Sequence, residues 1–221
     1  MNIIFCFSRR LVIYLQCQID SYPLGISSKH IEKSDYLIEK GLSILWSRGY
    51  NGTSINDVVN AAEVPKGSFY FYFESKEDYV VKVLEKYFEN KRANIIKDIF
   101  NDADTHPKEC ILNFYKLRVK YIKEKLHCTL GCMGSNMSTE MAEHSEKIRT
   151  TILAEERKIR LQVRDVVKKA QDANEITNPI EADKIVDFIE DSFKGMLTSM
   201  KETKSSEPLD NFLNFLSVII K

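Results

Sequence analysis

The chain has 221 residues, of which 43% are hydrophobic and 29% are charged. This balance excludes a disordered chain and leaves room for one large domain or two small ones. Because 32 Lys and Arg are matched by 32 Asp and Glu, the chain is neither a basic nucleic-acid coat nor an acidic decoy, although a local basic face stays open. Only 8 Gly and 5 Pro interrupt it, so we expect a mostly helical, all-α protein.

Residues 1–30 form a predicted N-terminal extension with no assigned role. Residues 3–7 and 11–15 are apolar runs separated by Ser8-Arg9-Arg10. Neither run approaches the roughly 20 residues that cross a bilayer, and the arginines lie within the apolar stretch rather than before it, unlike those of a signal peptide. Three interpretations stay open: an additional helix, a weak membrane-surface segment, or a leader produced by an upstream start codon. We favour the first or the third.

Five cysteines are scattered along the chain without a Cys-x-x-Cys pair: Cys6, Cys17, Cys110, Cys128 and Cys132. Such an odd set is typical of reduced thiols rather than of a secreted disulfide framework, so we expect a cytoplasmic protein. Cys128 and Cys132 lie four residues apart beside His127, and Glu140 lies four before His144. Neither pair has the further ligands of a zinc site, so we expect no metal and no cofactor.

From about residue 31 the apolar side chains recur with a helical period. The first predicted helix ends at Gly49, which tolerates a left-handed backbone. Ser54 is the predicted N-cap of a second helix, and Pro65 opens a short third one. Further helices are predicted over about 76–91, 107–126, 131–142, 145–173, 179–204 and 208–220, with a loop over 101–107. No alternation with period two is sustained, so no sheet is expected.

The second and third predicted helices form a helix-turn-helix. In this motif the first helix braces on the DNA backbone and the N-terminal side chains of the second enter the major groove. Lysine and serine side chains bind base edges or phosphates, tyrosine hydroxyls bind phosphates, and a glycine permits close approach of the backbone. The predicted DNA contacts are Thr53, Ser54, Lys66, Gly67, Ser68, Tyr70, Tyr72 and Lys76.

This stretch resembles the tetracycline-repressor (TetR) family of bacterial regulators. The resemblance lies in residues 49–50, 53–59, 62–73 and 75–77, and most specifically in the run Gly-x-x-Tyr-x-Tyr-Phe-x-x-Lys that begins at Gly67. It implies a homodimer whose two N-terminal modules bind a palindromic operator. It also implies that a small molecule in the C-terminal helical bundle changes the spacing of these modules and releases DNA.

One position departs from the family pattern. Glu63 stands where the turn usually has glycine, so this residue must accept the backbone conformation of the turn and adds a negative charge near DNA. The charge balance gives no further help, because residues 29–92 contain ten basic and ten acidic side chains. The prediction of DNA binding therefore depends on the motif.

Apolar side chains of the C-terminal part suggest two further surfaces. Met133, Met137 and Met141 recur every four residues, a spacing that fits either core or a soft pocket. The predicted ligand-binding residues are Phe88, Phe114, Tyr115, Tyr121, Cys132, Met133, Met137 and Phe193. The predicted dimerisation residues are Phe188, Phe193, Met196, Leu197, Phe212, Phe215 and Leu216, with intrachain core as the alternative.

Cys132 has a second interpretation. The run Gly131-Cys132-Met133-Gly134-Ser135-Asn136 is similar to a Gly-Cys-x-x-x-Asn segment of a TetR subgroup that includes regulators responding to reactive electrophiles. A helix N-terminus lowers a thiol pKa, which gives this hypothesis a mechanism. The plainer interpretation is a small buried side chain at the start of a helix, since free cysteines are commonly buried.

The sequence thus predicts an all-α, cytoplasmic transcriptional regulator, in the simplest case a repressor. Its DNA-binding domain spans residues 31–78 and its ligand-binding and dimerisation domain residues 79–221. The expected partners are double-stranded operator DNA, a small-molecule effector and a second copy of the chain, with no membrane. Two alternatives are a repressor that senses electrophiles or redox state through Cys132 or Cys128, and a helical interaction protein without DNA binding. No catalytic residues are predicted, so the protein is not expected to be an enzyme.

Overall fold

The computed structural model describes residues 28–100 and 106–221, with side chains described for 33–93 and from 106 onward. These residues form helices and no strands, which confirms the all-α prediction. The helices are α1 (Ser28–Arg48), α2 (Ile55–Ala61), α3 (Lys66–Tyr72), α4 (Lys76–Phe100), α5 (Pro107–Glu124), α6 (Met133–Met141), α7 (Glu146–Asp172), α8 (Ala182–Thr203) and α9 (Glu207–Ile219). None of them is long and apolar enough to cross a membrane. The extension predicted over residues 1–30 falls mainly outside the described residues.

The predicted helix end at Gly49 and the predicted N-cap at Ser54 are both present in the structure. Gly49 ends α1 with a φ of +73°, a conformation that costs little without a Cβ atom. The Ser54 hydroxyl accepts the backbone N–H of Asp57, whose carboxylate accepts the N–H of Ser54. This capping box satisfies two donors that the first turn of α2 would otherwise leave unpaired.

Helices α1–α3 pack around an aromatic core. Phe69 and Phe73 point inward from α3, and both meet Tyr79 of α4, with ring centroids 5.2 and 4.9 Å apart. The Tyr79 hydroxyl donates a hydrogen bond to the carbonyl of Leu37, and burial raises the pKa of this phenol. The first residues of α4 are therefore part of the core beneath α3.

Helix α4 is longer than predicted and continues into the C-terminal bundle. The prediction of an end near residue 91 was wrong, because no glycine or proline interrupts the chain between residues 92 and 100. In the bundle, α4 packs on α5 and α7, α8 packs on α7 and α9, and the short α6 contacts α7 and α4. The loop predicted over 101–107 falls mostly on residues outside the described ranges.

The bundle core corrects most of the predicted dimerisation surface. Five of the seven side chains are buried within one chain: Phe193, Met196, Leu197, Phe212 and Leu216. They pack between α8, α9 and α5, as in the contact of Phe193 with Phe212 at 5.1 Å. The apolar stripes of α8 and α9 are largely used to join these two helices to the bundle. Only Phe188 and Phe215 remain exposed, at 59% and 68% of their surface.

Candidate nucleic-acid interface and the adjoining cavity

Helix α3 has one outward face and one inward face. Lys66, Gly67, Tyr70 and Phe71 lie outward and exposed, at positions i, i+1, i+4 and i+5. A Cβ atom built on Gly67 would meet nothing within 4 Å, so packing inside the chain does not require glycine there. The face has room for a close partner on its outer side.

Ser68 and Tyr72 lie beside this face and are only partly exposed. Phe71, which was not among the predicted DNA contacts, lies on the same outward face. Its side chain is 68% exposed, and it follows Gly67 by four residues on the same side of α3. Its position beside the exposed Lys66 and Tyr70 is shown by the packing of α3, which helical spacing alone does not supply.

Two predicted contacts at the start of α2 have structural roles in the free chain. The Thr53 side chain is 2% exposed, and its hydroxyl donates to the carbonyl of Gly49 at 2.8 Å. The Ser54 hydroxyl lies 2.5 Å from Asp57 Oδ2, within the capping box. This hydroxyl lowers the pKa of the Asp57 carboxyl through a hydrogen bond. Both hydroxyls therefore hold the turn and the cap together.

The Lys76 side chain is half-buried rather than fully exposed to solvent. Its ammonium donates to the carbonyl of Tyr50 at 2.6 Å and lies 4.1 Å from the centroid of the Tyr50 ring. Burial lowers the pKa of Lys76, and the carboxylates of Glu140 and Asp57 oppose that shift. Lys76 thus fastens the start of α4 to the turn that follows α1.

The departure at Glu63 has the structural consequence that the sequence predicts. Glu63 adopts a left-handed backbone with a φ of 55°, while its side chain is exposed to solvent. Its N–H donates to the carbonyl of Asn60, and the next N–H, of Val64, donates to Val59. The tight turn is formed despite the steric cost of a Cβ atom in this conformation.

Helix α1 and the turn that follows it are joined to the bundle at both ends of α6. At its C-terminal end, the Glu140 carboxylate accepts the backbone N–H groups of Tyr50 and Asn51 at 2.7 and 2.6 Å. At its N-terminal end, the Trp46 indole donates to the carbonyl of Gly131 at 2.8 Å. Trp46 also meets the ring of Tyr87 edge to face at 5.1 Å.

Polar and charged side chains surround a cavity inside the bundle. Its lining includes Lys91 of α4, Arg118 of α5, Cys132 at the start of α6, Glu156 and Arg160 of α7, and Glu190, Phe193 and Lys194 of α8. The cavity measures about 10 Å³, which is room for about one water molecule. Four helices and the residue before α6 thus bring separated parts of the sequence to one point.

An ion pair crosses the wall of this cavity. The Arg118 guanidinium donates to both carboxylate oxygens of Glu190, at 2.5 and 3.3 Å, and the Tyr115 hydroxyl donates to Oε1 at 2.8 Å. The guanidinium also stacks on Phe193, 3.8 Å from the ring centroid. Burial acts to raise the pKa of Glu190, but the charges of Arg118 and Lys91 outweigh it and hold this pKa at about 2.

Of the eight predicted ligand-binding residues, two line this cavity, Cys132 and Phe193. Tyr121 is 47% exposed on the outside of α5, which corrects its assignment to a pocket. The other five are buried core side chains that do not line the cavity: Phe88, Phe114, Tyr115, Met133 and Met137. Aromatic and methionine spacing identified the core of the bundle, whereas the charged lining was missed because its members lie far apart in the chain.

The Cys132 thiol is a nearly closed part of this arrangement. Its exposure is 8%, and the Tyr87 hydroxyl lies 3.7 Å from its sulfur. The same hydroxyl accepts the N–H of Met133 at 3.3 Å, and burial raises the pKa of the Tyr87 phenol. Cys128 lies in the loop before it, partly exposed and with a left-handed φ of 57°. Within the described residues, no cluster of three metal-ligating side chains is formed.

Comparison with known proteins identifies both parts of the chain. Residues 37–83 match the family described as bacterial regulatory proteins, tetR family, and residues 107–216 match a tetracyclin repressor-like C-terminal domain. The chain is 32% identical to the HTH-type transcriptional repressor DhaR of Mycobacterium sp. (strain GP1), over 80% of this chain and 87% of DhaR. It is 26% identical to the HTH-type transcriptional repressor NemR of Escherichia coli (strain K12), over 87% of this chain and 97% of NemR.

Solved structures agree with this assignment. The reduced form of Escherichia coli NemR has a TM-score of 0.78 at 25% identity, covering 86% of this chain and 97% of that one. A TetR regulatory protein from Rhodobacter sphaeroides has a TM-score of 0.76 at 23% identity, over 85% of this chain and 98% of that one, which shows the shared fold. The chain is a helix-turn-helix transcriptional regulator and belongs to the tetR family of bacterial regulatory proteins.

Proposed function

We propose that the protein is a homodimeric repressor in which each copy inserts α3 into the major groove of one operator half-site. The observation that carries this proposal is the outward face of α3, where Lys66, Gly67, Tyr70 and Phe71 are exposed together. A palindromic site read by two such helices needs about 34 to 36 Å between their centres, or a multiple of that distance. The relatives named as transcriptional repressors support the direction of regulation.

The residues of α3 have distinct proposed roles. The Lys66 ammonium and the Ser68 hydroxyl bind a base edge or a phosphate, and the Tyr70 hydroxyl binds a phosphate. The open space around Gly67 lets the backbone of α3 approach the DNA. Phe71 is added to the predicted contacts because an exposed ring on this face suits the methyl group of thymine.

Residues around α3 support it in other ways. Tyr72, which is partly exposed, lies at the edge of the contact face. Thr53 and Ser54 shape the turn and the first turn of α2, whose remaining N–H groups face a phosphate in the complex. Lys76 contributes its positive charge while it fixes Tyr50 through the carbonyl contact.

The proposed dimer surface lies on the exposed sides of α8 and α9. Phe188 of α8 and Phe215 and Val218 of α9 are each more than half exposed, and these two helices pack against one another. Large apolar side chains on neighbouring helices are typical of protein interfaces. A two-fold symmetric dimer formed through this surface presents the two copies of α3 that a palindromic site requires.

The proposed effector site is the cavity between α4, α5, α7 and α8. Because an effector shifts a conformational equilibrium only by its differential affinity for the two states, a typical coupling is about 1–3 kcal/mol. A second candidate mechanism is thiol modification at Cys132, which lines the cavity and contacts the Tyr87 hydroxyl. A solved relative is described as a reduced form, which favours keeping this alternative.

Selection of bound fragments from random DNA tests the proposed function. We expect a palindromic sequence, and an affinity that falls steeply with salt because phosphate contacts release counterions. Tyr70→Ala should lower the affinity, whereas Tyr121→Ala, which removes a similarly exposed tyrosine from α5, should not. Equal binding by Tyr70→Ala and the unmodified protein, or no enrichment of any sequence, would show that α3 does not read DNA.

A further inference from the structure

The charges around the bundle cavity are paired, with one exception among the described residues. Arg118 pairs with Glu190, and the Lys194 ammonium donates to Glu156 at 2.6 Å. Arg160 contacts two aspartates of α8, Asp187 at 3.0 Å and Asp191 at 2.5 Å. Lys91 lines the same cavity, and its ammonium lies 5.8 Å from the centroid of the Phe88 ring. Within the part of the chain that the structure describes, this ammonium has no hydrogen bond to a carboxylate or a carbonyl.

We propose that the cavity binds a compact monoanion with a short apolar tail, a short-chain carboxylate, and that Lys91 is its counter-ion. This inference rests on the proposed function and names the chemical class of its effector. The carboxylates of Glu156 and Glu190 lie close enough to act on the charge of Lys91, but they are hydrogen-bonded to other cations. One further negative charge would supply a direct hydrogen-bond acceptor for this ammonium. A neutral ligand would leave Lys91 without a directly bound anion, and a dianion would be repelled more strongly than a monoanion by the carboxylates of Glu156 and Glu190 in the same wall.

The walls of the cavity limit the size of this ligand. The space of about 10 Å³ holds about one water molecule, so even a small carboxylate must push the lining helices apart. Ile159 and Phe193 supply the apolar part of the lining, which suits a tail of a few carbon atoms. Larger anions require a wider opening and more broken ion pairs.

Expansion of the cavity acts on the helix that also supports the DNA-reading face. Lys91 belongs to α4, which begins at Lys76 and places Tyr79 against Phe69 of α3. A ligand that moves α4 away from α5 or α8 therefore favours a different placement of α3. The same ligand then binds more tightly to the conformation that does not fit the operator, which is the thermodynamic requirement for release.

The test uses the full chain, with acetate and propionate as probes and the isosteric amides acetamide and propionamide as neutral controls. Binding is measured as a shift of the thermal unfolding temperature and, separately, as the change in affinity for the selected operator at constant ionic strength. The variants are Lys91→Met and, as matched control on the same helix, Lys82→Met, whose exposed ammonium pairs with Glu85. Cys132→Ser is included to separate anion binding from thiol chemistry.

We expect a carboxylate to raise the unfolding temperature and to weaken operator binding about 5- to 150-fold. The amides should do neither, Lys91→Met should lose the response, and Lys82→Met and Cys132→Ser should keep it. Amides as effective as carboxylates, a full response in Lys91→Met, or no thermal shift with either carboxylate would each overturn the inference. A thermal shift without any operator binding would instead support the anion site and contradict the proposed function.

Discussion

The DNA-reading part and the helical bundle distribute their polar groups in opposite ways. Around α3 the interior is aromatic, with Phe69 and Phe73 against Tyr79, and the charged side chains lie at or near the surface. In the bundle the surface of α8 and α9 carries exposed phenylalanines, whereas Arg118 and Glu190 lie inside. In the proposed function, recognition of a polyanion is therefore a surface property, while the proposed effector site lies in the low-dielectric interior, where each charge has a larger effect.

The largest expected effect tests the buried charges of the bundle. Arg118→Met leaves Glu190 without its partner and should lower the free energy of unfolding by about 3–5 kcal/mol. The double variant Arg118→Met/Glu190→Met should recover most of this loss. Urea unfolding at equal protomer concentration gives the values.

An exposed arginine serves as the control for that comparison. Arg164→Met removes a pair with Asp165 that lies at the surface, so the loss should stay below about 1 kcal/mol. If Arg118→Met were as mild as Arg164→Met, the interior of the bundle would not differ electrostatically from its surface.

The next prediction concerns the joint between the two regions. Glu140→Gln replaces one acceptor oxygen with an amide donor facing the N–H groups of Tyr50 and Asn51, which should cost about 1.5–3 kcal/mol. This contact fixes the DNA-binding helices α1–α3 on the bundle. Operator selection with the variant should therefore return the same half-sites with a broader range of spacings between them. Sequencing of the selected pools measures this range.

A nearby glutamate separates this role from a general loss of charge or stability. Glu143 is exposed two residues after α6, so Glu143→Gln should leave the spacing unchanged. A uniform loss of affinity at every spacing in Glu140→Gln would assign the contact to stability alone.

Gly67→Ala tests the surface of α3 with a single added methyl group. The methyl meets nothing within 4 Å in the free chain, and alanine is the better helix former, so stability should rise by up to about 1 kcal/mol. Operator affinity should fall at the same time by about tenfold or more, since the backbone can no longer approach the DNA closely. Thermal unfolding would measure the gain in stability, and fluorescence anisotropy with a labelled operator would measure the loss of affinity. If the affinity were unchanged, the DNA would not approach the backbone of α3 at Gly67.

The sequence predicted the DNA-binding helices α1–α3 better than the bundle, and the reason is physical. Their caps and turns are local signals within residues 49–76, and Ser54 and Gly49 take the conformations that these signals indicate. The cavity joins residues from 91 to 194, whose meeting depends on how five segments pack. Apolar spacing alone gave their helices, but it assigned the buried Leu197 and Phe212 to a dimer surface, because spacing does not tell which neighbour covers a face.

The smallest expected effect concerns Glu63, where the turn of the helix-turn-helix departs from the family pattern. Glu63→Gly relieves a left-handed backbone but makes the unfolded chain more flexible, so the net gain in stability should stay below about 1 kcal/mol. The substitution also removes a negative charge near the DNA, so operator affinity should rise modestly, and more so at low salt. Glu63→Gln separates the two causes, since it removes the charge and keeps the backbone strain. If Glu63→Gln gained as much stability as Glu63→Gly, the left-handed backbone would not be the source of the cost.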